Sequence, residues 1–260
     1  MPLEFHQVDA FADQPFSGNP AMVYRLEQWL DDELMQRIAA EHNLAETAFV
    51  VREEAAWRIR WFTPTTEVPL CGHATLATAH VLFEVYREPG DRLAFTCHSG
   101  TLAVTREHGR LALDFPAAPS RVIAEPAGLA QMLGQTPVAV LDASQLLVVL
   151  ESEDAVRACA PDLKALAGLA WDAVIVTAGG REFDFVSRNF APALGIDEDP
   201  VTGSAHCILI PYWAERLGRP VLQAYQGGRR GGRLWCRLQG DRVKIAGHAV
   251  LVGSGRLHLG

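Results

Sequence analysis

The chain repeats itself, and no other feature limits its possible folds as strongly. Val68-Pro69-Leu70-Cys71-Gly72-His73-Ala74 has a counterpart in Asp199-Pro200-Val201-Thr202-Gly203-Ser204-Ala205. An aromatic-x-Pro step precedes each copy, Phe62-Thr63-Pro64 in one half and Phe190-Ala191-Pro192 in the other. Each copy opens an apolar helical stretch, running to about Tyr86 and to about Leu217. Downstream, Gly100 and Gly232 each lead a short apolar strand, and an arginine follows ten positions later in both halves, Arg110 and Arg242. Agreement at several positions in one order implies duplication. It predicts two homologous domains, residues 1–117 and 118–260, with the extreme C-terminus free to pack back on the first.

Periodicity supplies the elements. Trp57, Ile59 and Trp61 alternate with Arg58 and Arg60, and Leu111, Leu113 and Phe115 alternate with Ala112 and Asp114. Leu93, Phe95 and Cys97 show the same period of two. Such stretches are strands with one wet face and one buried face. Asp31 to His42 reads as an amphipathic helix, with acids in its first turn and Asn43 after its end. The stretches after Gly72 and Gly203 are different, because they are apolar around most of their circumference. A helix of that kind must be buried on most sides, and both are far too short for the roughly 20 residues of a membrane span. The economical solution is an α+β fold in which a curled, mainly antiparallel sheet wraps one central helix, made twice. Pro211 should kink the second helix, and Gly218 should stop it.

Composition narrows the partners. A formal net charge of −8 over 260 residues repels nucleic-acid backbone and anionic lipid. The reading is therefore no nucleic acid and no membrane. The five cysteines, at 71, 97, 159, 207 and 236, form no CxxC and fit no zinc spacing. Reduced thiols in a cytoplasmic protein are the expectation. Glu4, Asp9 and Asp13 stand where an export signal would need a basic start and an apolar run.

Chemistry is expected at the two repeated helix starts. A helix N-terminus presents unpaired N–H groups and partial positive charge, and glycine at Gly72 and Gly203 lets an anion approach closely. Two such starts related by duplication can converge on one ligand in a cleft between the domains. Each glycine could instead merely permit a tight turn. His73 follows Gly72, where the local dipole should keep the imidazole neutral, either relaying protons or simply capping a turn. Ser204 holds the equivalent place and is also a good N-cap. Asp199 could orient a base, bind a substrate donor, or serve only as a cap. Glu46 starts an apolar strand after Asn43-Leu44-Ala45, and partial desolvation there would raise its pKa toward that of a proton shuttle. A solvated loop glutamate is the plain alternative. Cys71 faces Thr202 in the repeat, so a two-thiol racemase looks incomplete and a packing cysteine is the simpler reading. Gly227-Gly228-Arg229-Arg230-Gly231-Gly232 leads into a strand rather than a helix, which reads as a hairpin and not a phosphate loop.

These residues also carry a family likeness. Asp9-Ala10-Phe11 with Phe16-Ser17-Gly18-Asn19-Pro20-Ala21, then Asn43-Leu44-Ala45-Glu46-Thr47, resemble the opening of PhzF-like phenazine-biosynthesis proteins. Glu67 to Ala74 resembles their first-helix signature, and Asp199 to His206 the second. The resemblance implies a diaminopimelate-epimerase-like fold, usually homodimeric, and proton transfer without a cofactor or metal. It implies a small carboxylated substrate, with Glu46, His73 and Asp199 as catalytic residues and Gly72, Gly203 and Ser204 as substrate-binding ones. The phenazine-pathway member isomerises trans-2,3-dihydro-3-hydroxyanthranilate, using a glutamate at the position that matches Glu46. Two other readings stay open: an amino- or hydroxy-acid racemase working through Cys71, and a non-catalytic protein that binds a small anion.

Overall fold

Stretches with a period of two fold as strands, and the all-apolar stretches fold as buried helices. A computed structural model describes residues 2–53 and 56–259. Its strands begin with β1 (Leu3–Ala10), β2 (Asn19–Leu26), β3 (Glu46–Glu53), β4 (Ala56–Phe62) and β5 (Glu67–Val68). They continue with β6 (Arg92–Cys97), β7 (Gly100–Glu107), β8 (Arg110–Pro116), β9 (Arg121–Ile123) and β10 (Ala139–Asp142). Next come β11 (Leu146–Val149), β12 (Val174–Gly179), β13 (Phe185–Ala191) and β14 (Ile196–Asp199). Last are β15 (Val221–Gln226), β16 (Gly232–Gln239), β17 (Arg242–Gly247) and β18 (Ala249–Leu257). The α-helices are α1 (Asp32–His42), α2 (Gly72–His80), α3 (Leu129–Leu133), α4 (Glu153–Ala158), α5 (Leu163–Leu166) and α6 (Gly203–Leu217).

Two units emerge, Met1–Asp114 with Ala246–Gly260, and Phe115–Ile245. In the first, the strands pair in the order β18, β1, β2, β3, β4, β6, β7, β8, with β5 also on β4. Only β2–β3 and β4–β6 are parallel among these pairs. The second unit runs β9, β10, β11, β12, β13, β15, β16, with β14 also on β13. Its parallel pairs are β11–β12 and β13–β15. Each of these second-unit pairings repeats one of the first, in the same order and the same sense. The last strand belongs with the first unit because it pairs along β1, Leu3 with Leu257 to Ala10 with Ala249.

Each unit has a helix at its centre. Helix α2 packs against β1, β2, β3, β7 and β18, and every one of its residues from His73 to Ala79 is buried. Its small residues let the sheet approach closely, and each larger side chain such as Leu76 or the following Leu82 and Phe83 contributes about 1.5–3 kcal/mol by leaving water. Beyond His80 the helix widens into a π-helical turn over Val81–Val85. Helix α6 packs against β15 and β16 and stops at Gly218, which is left-handed at φ 66°. It runs through Pro211 to Leu217. Proline has no N–H to give the carbonyl four residues back, and that carbonyl, Cys207 O, instead accepts from Ala118 N at 2.9 Å. Gly227 to Gly231 join the antiparallel β15 and β16, as a hairpin requires.

The loop from β1 to β2 is tightly specified. Phe11 and Phe16 both have positive φ, 56° and 70°, and Gly18 has φ 61°. A Cβ on Gly18 would sit 2.1 Å from Ala10 O. Clash and backbone strain therefore act together, so Gly18→Ala should cost about 1–3 kcal/mol or more. Urea unfolding of the variant checks this; a midpoint equal to the wild type's would refute it.

Candidate active site

Asn19 and Glu46 are the first residues of the neighbouring parallel strands β2 and β3, and Ala21 pairs with Glu46. Both side chains therefore stand at one end of the first unit's sheet, where α2 begins. His73, buried, fills the space between them. Its Nε2 lies 3.1 Å from Glu46 Oε2, an ion-pair distance without hydrogen-bond alignment, and neither atom has another partner. On the far side of the ring, Nδ1 meets Asn19 Nδ2 at 3.2 Å and Cys71 Sγ at 3.5 Å. The two ends of the Asn19 amide are isosteric, so it can serve the ring in either charge state. The Glu46 side chain is 13% exposed. A carboxylate with a buried, unpartnered oxygen beside an imidazole is an arrangement suited to moving a proton.

The neutral His73 expected from the helix dipole is corrected by this neighbour. Burial works against charge on the ring, yet the Cys71 sulfur and the Glu46 carboxylate on its two sides raise the His73 pKa well above 6.5. Burial and the Glu46 charge push the Cys71 thiol up to about 11. The sulfur is then uncharged at neutral pH, leaving the Glu46 carboxylate as the partner that favours imidazolium. Glu46 and His73 are 27 positions apart, so no spacing rule could have paired them. The high thiol pKa also argues against Cys71 as a ready thiolate base.

Glu46, Cys71 and His73 place one donor atom each within 4.8 Å of one another, enough to raise the question of a metal. The fit is poor. Sulfur and carboxylate face different ring nitrogens, so an ion on one nitrogen would be turned away from the donor at the other.

The second unit repeats the plan with different chemistry. Gly203 is the first residue of α6, and Ser204 follows it with its side chain accessible. Gln145, just ahead of β11, donates through Nε2 to Ser204 Oγ at 2.9 Å, and Asn189 donates to Gln145 Oε1 at 2.7 Å. Thus at the start of the equivalent strand in each unit, β2 or β11, a polar amide reaches the residue that follows the helix-start glycine. Asp199 closes β14, and its Oδ2 accepts from Thr202 Oγ1 at 2.5 Å. Gln226, fully buried, accepts from Thr202 N at 2.9 Å and donates to Asp199 O and Thr202 Oγ1. Asn19, Gln145, Asn189 and Gln226 were not singled out from sequence. Their one legible signal is a polar amide inside or at the end of an apolar strand.

His206, one helical turn into α6, is fully buried and gives its Nδ1 proton to Thr202 O at 2.8 Å. Burial lowers its pKa to about 4. A depressed histidine pKa means that the native state binds fewer protons than the unfolded chain between those values. Stability is therefore whole above pH 6.5 and lost as pH falls toward 4, by about 3 kcal/mol. Urea midpoints should drop across that window in the wild type and drop less in His206→Gln; parallel curves would refute the assignment.

The strand order and the helix in each unit first define a fold, the diaminopimelate-epimerase-like one. A hydroxyproline epimerase of Agrobacterium vitis shares the fold with a TM-score of 0.66 at 10% identity, over 99% of this chain and 93% of its own. The chain belongs to the phenazine biosynthesis-like (PhzF) protein family, whose model matches residues 8–255. A PhzF-family protein of Enterococcus faecalis matches with a TM-score of 0.98 and 47% identity over the whole of both chains. An uncharacterized isomerase of Pseudomonas aeruginosa is 68% identical over all 260 residues and the whole of its own length. The family is isomerase-like, and three of the chain's bacterial relatives carry the name of uncharacterized isomerases.

Proposed function

We propose that the chain is a cofactor-independent isomerase that shifts a proton within a small carboxylated substrate, with Glu46 as the acid–base residue. The reaction would be similar to that of trans-2,3-dihydro-3-hydroxyanthranilate isomerase. The observation that carries this reading is the approach of Glu46 Oε2 to His73 Nε2, both buried and without other partners. Glu46 would take a proton from a carbon made acidic by the substrate's unsaturation and return it at another carbon. His73, charged beside it, would steer where protonation ends. The N–H groups at Gly72 would favour the anion, as a helix start does. In the second unit the helix start at Gly203, with Ser204 as donor and Asp199 on the preceding strand, would offer an anion the same kind of N–H terminus.

A racemase working through Cys71 is the weaker reading. Its thiol is held protonated, and the matching position in the repeat is Thr202. The direct test is to incubate the protein in deuterium oxide with a panel of small unsaturated and cyclic acids and follow carbon-bound deuterium by NMR. Uptake at one of two carbons related by a proton shift supports the proposal. Uptake only at the α-carbon of a saturated amino or hydroxy acid would favour the racemase instead.

A further inference from the structure

Four polar side chains of the first unit form a second cluster that shares no residue with the Glu46 site. His6 and Ser254 pair across β1 and β18, and His6 is 2% exposed. Its Nδ1 lies 2.8 Å from Ser254 Oγ. Its Nε2 lies 3.2 Å from the hydroxyl of Tyr86, the residue after the π-helical turn. Tyr86 O–H in turn donates to Glu4 Oε2 at 3.3 Å. The Tyr86 ring sits edge-on to His6 and beneath Arg25, whose Cζ is 4.6 Å from the ring centre.

The direction of every bond follows. A carboxylate only accepts, so the tyrosine proton points to Glu4. The phenol oxygen is left to accept, and His6 Nε2 carries the hydrogen it takes. Burial lowers the His6 pKa below 6.5 against the pull of the Glu4 carboxylate, so the ring is neutral at pH 7. A neutral ring with its hydrogen on Nε2 has its lone pair at Nδ1. Nδ1 therefore accepts from Ser254 O–H. A hydroxyl bonded to a histidine base that a third group orients is the arrangement of an activated nucleophile.

The backbone beside that hydroxyl is open. Ser254 is exposed and lies between Gly253 and Gly255. Glycine weakens a strand interior, so each needs a reason. Gly255 has one in the fold, because a Cβ there would lie 2.6 Å from the Phe5 ring. Gly253 has none of that kind: it is not left-handed, and a Cβ there would meet nothing within 4 Å. Just before it the register with β1 shifts and leaves Val252 without a partner. Irregularities of this kind re-aim side chains beside active sites.

We propose that Ser254 is a nucleophilic serine, with His6 as its base, that takes an acyl group from an activated ester. Ser254 Oγ attacks the acyl carbon while its proton passes to His6 Nδ1. The bond from that carbon to the leaving oxygen then breaks, and the leaving oxygen takes the proton from His6. Water repeats the sequence on the acyl-serine, which releases the acid and restores the hydroxyl. Tyr86 and Glu4 touch no reacting atom. They are positioning residues that hold the ring in the one tautomer with Nδ1 free.

The probe is para-nitrophenyl acetate, with nitrophenolate release followed by absorbance and the acetylated residue mapped by peptide mass spectrometry after an early quench. Wild type should gain an acetyl group on Ser254, and Ser254→Ala should gain none at that position. His6→Gln should slow the acetylation by about 10²-fold or more, the loss of a general base. Tyr86→Phe should slow it by about fivefold, the worth of one hydrogen bond. Ring-nitrogen NMR reads the tautomer: the His6 hydrogen should sit on Nε2 in wild type and be shared between the two nitrogens in Tyr86→Phe, a change that a merely structural tyrosine would not produce. Acetylation confined to lysine, cysteine or the N-terminus overturns the inference, as does an equal rate at Ser254 in folded His6→Gln. Should His6→Gln fail to fold, a wild-type ring with its hydrogen on Nδ1 overturns it instead.

Discussion

Glu46→Gln should lower deuterium uptake into a substrate acid by about 10²–10⁴-fold, the usual worth of a positioned general acid–base group. Glutamine keeps the shape of the side chain at the start of β3 and removes its ability to hold a proton, so the loss belongs to chemistry and not to packing. Substrate binding should change far less than turnover, because the group acts on the reacting carbon. A second signature follows from the neighbour. His73 has a raised pKa in the folded state, and with the Cys71 thiol uncharged at neutral pH it is the Glu46 carboxylate that opposes the burial penalty there. A raised histidine pKa adds stability that is whole below pH 6.5 and fades as pH climbs through the folded value. Without the carboxylate that contribution shrinks, so wild type should be the more stable at pH 6 and the gap should close on going alkaline. Turnover within threefold of wild type in Glu46→Gln would end the acid–base assignment.

How much of this was legible in the chain depends on whether the cause was local. Alternation at Trp57-Ile59-Trp61 and the apolar runs after Gly72 and Gly203 decide strand and buried helix within a few residues, so the elements could be read directly. Duplication made the topology legible as well, since β4, β5, α2 and β6 had to recur as β13, β14, α6 and β15. Glu46 was identifiable by resemblance, and its environment only as a strand start. The charge on His73 was misjudged because the helix dipole is a local property, whereas the Glu46 carboxylate comes from a strand far away in sequence. Asn19 and Gln145 were missed for the same reason. Each acts on a residue more than fifty positions away, 54 and 59 respectively. Pairings of that reach are set by strand register, which one sequence does not display.

Arg188→Met should destabilise the second unit by about 3–5 kcal/mol, the cost of stripping one partner from a largely buried ion pair. The guanidinium grips Glu198 with two bonds, Nε to Oε1 at 2.7 Å and Nη2 to Oε2 at 2.9 Å. Its remaining nitrogen, Nη1, donates to Val156 O, Arg157 O and Cys159 O, at 3.3, 3.4 and 2.5 Å. Those carbonyls lie at the C-terminal end of α4, where helical N–H partners run out, although Val156 O also accepts from Cys159 N at 3.3 Å. Methionine fills the volume but leaves a carboxylate and a helix end without their donor. Lysine would not substitute, since a point charge cannot serve a fork and a helix terminus together. The loss should reach the candidate site, because Glu198 precedes Asp199 on β14, and Asn189, which follows Arg188 on β13, pairs with Asp199. Adding Glu198→Gln removes the stranded charge, so the double variant should recover a kcal/mol or more, about the coupling expected of contacting residues. Urea unfolding of the wild type, both single variants and the double variant measures it. Strictly additive losses would mean that the pair is not coupled and that Arg188 acts only through α4.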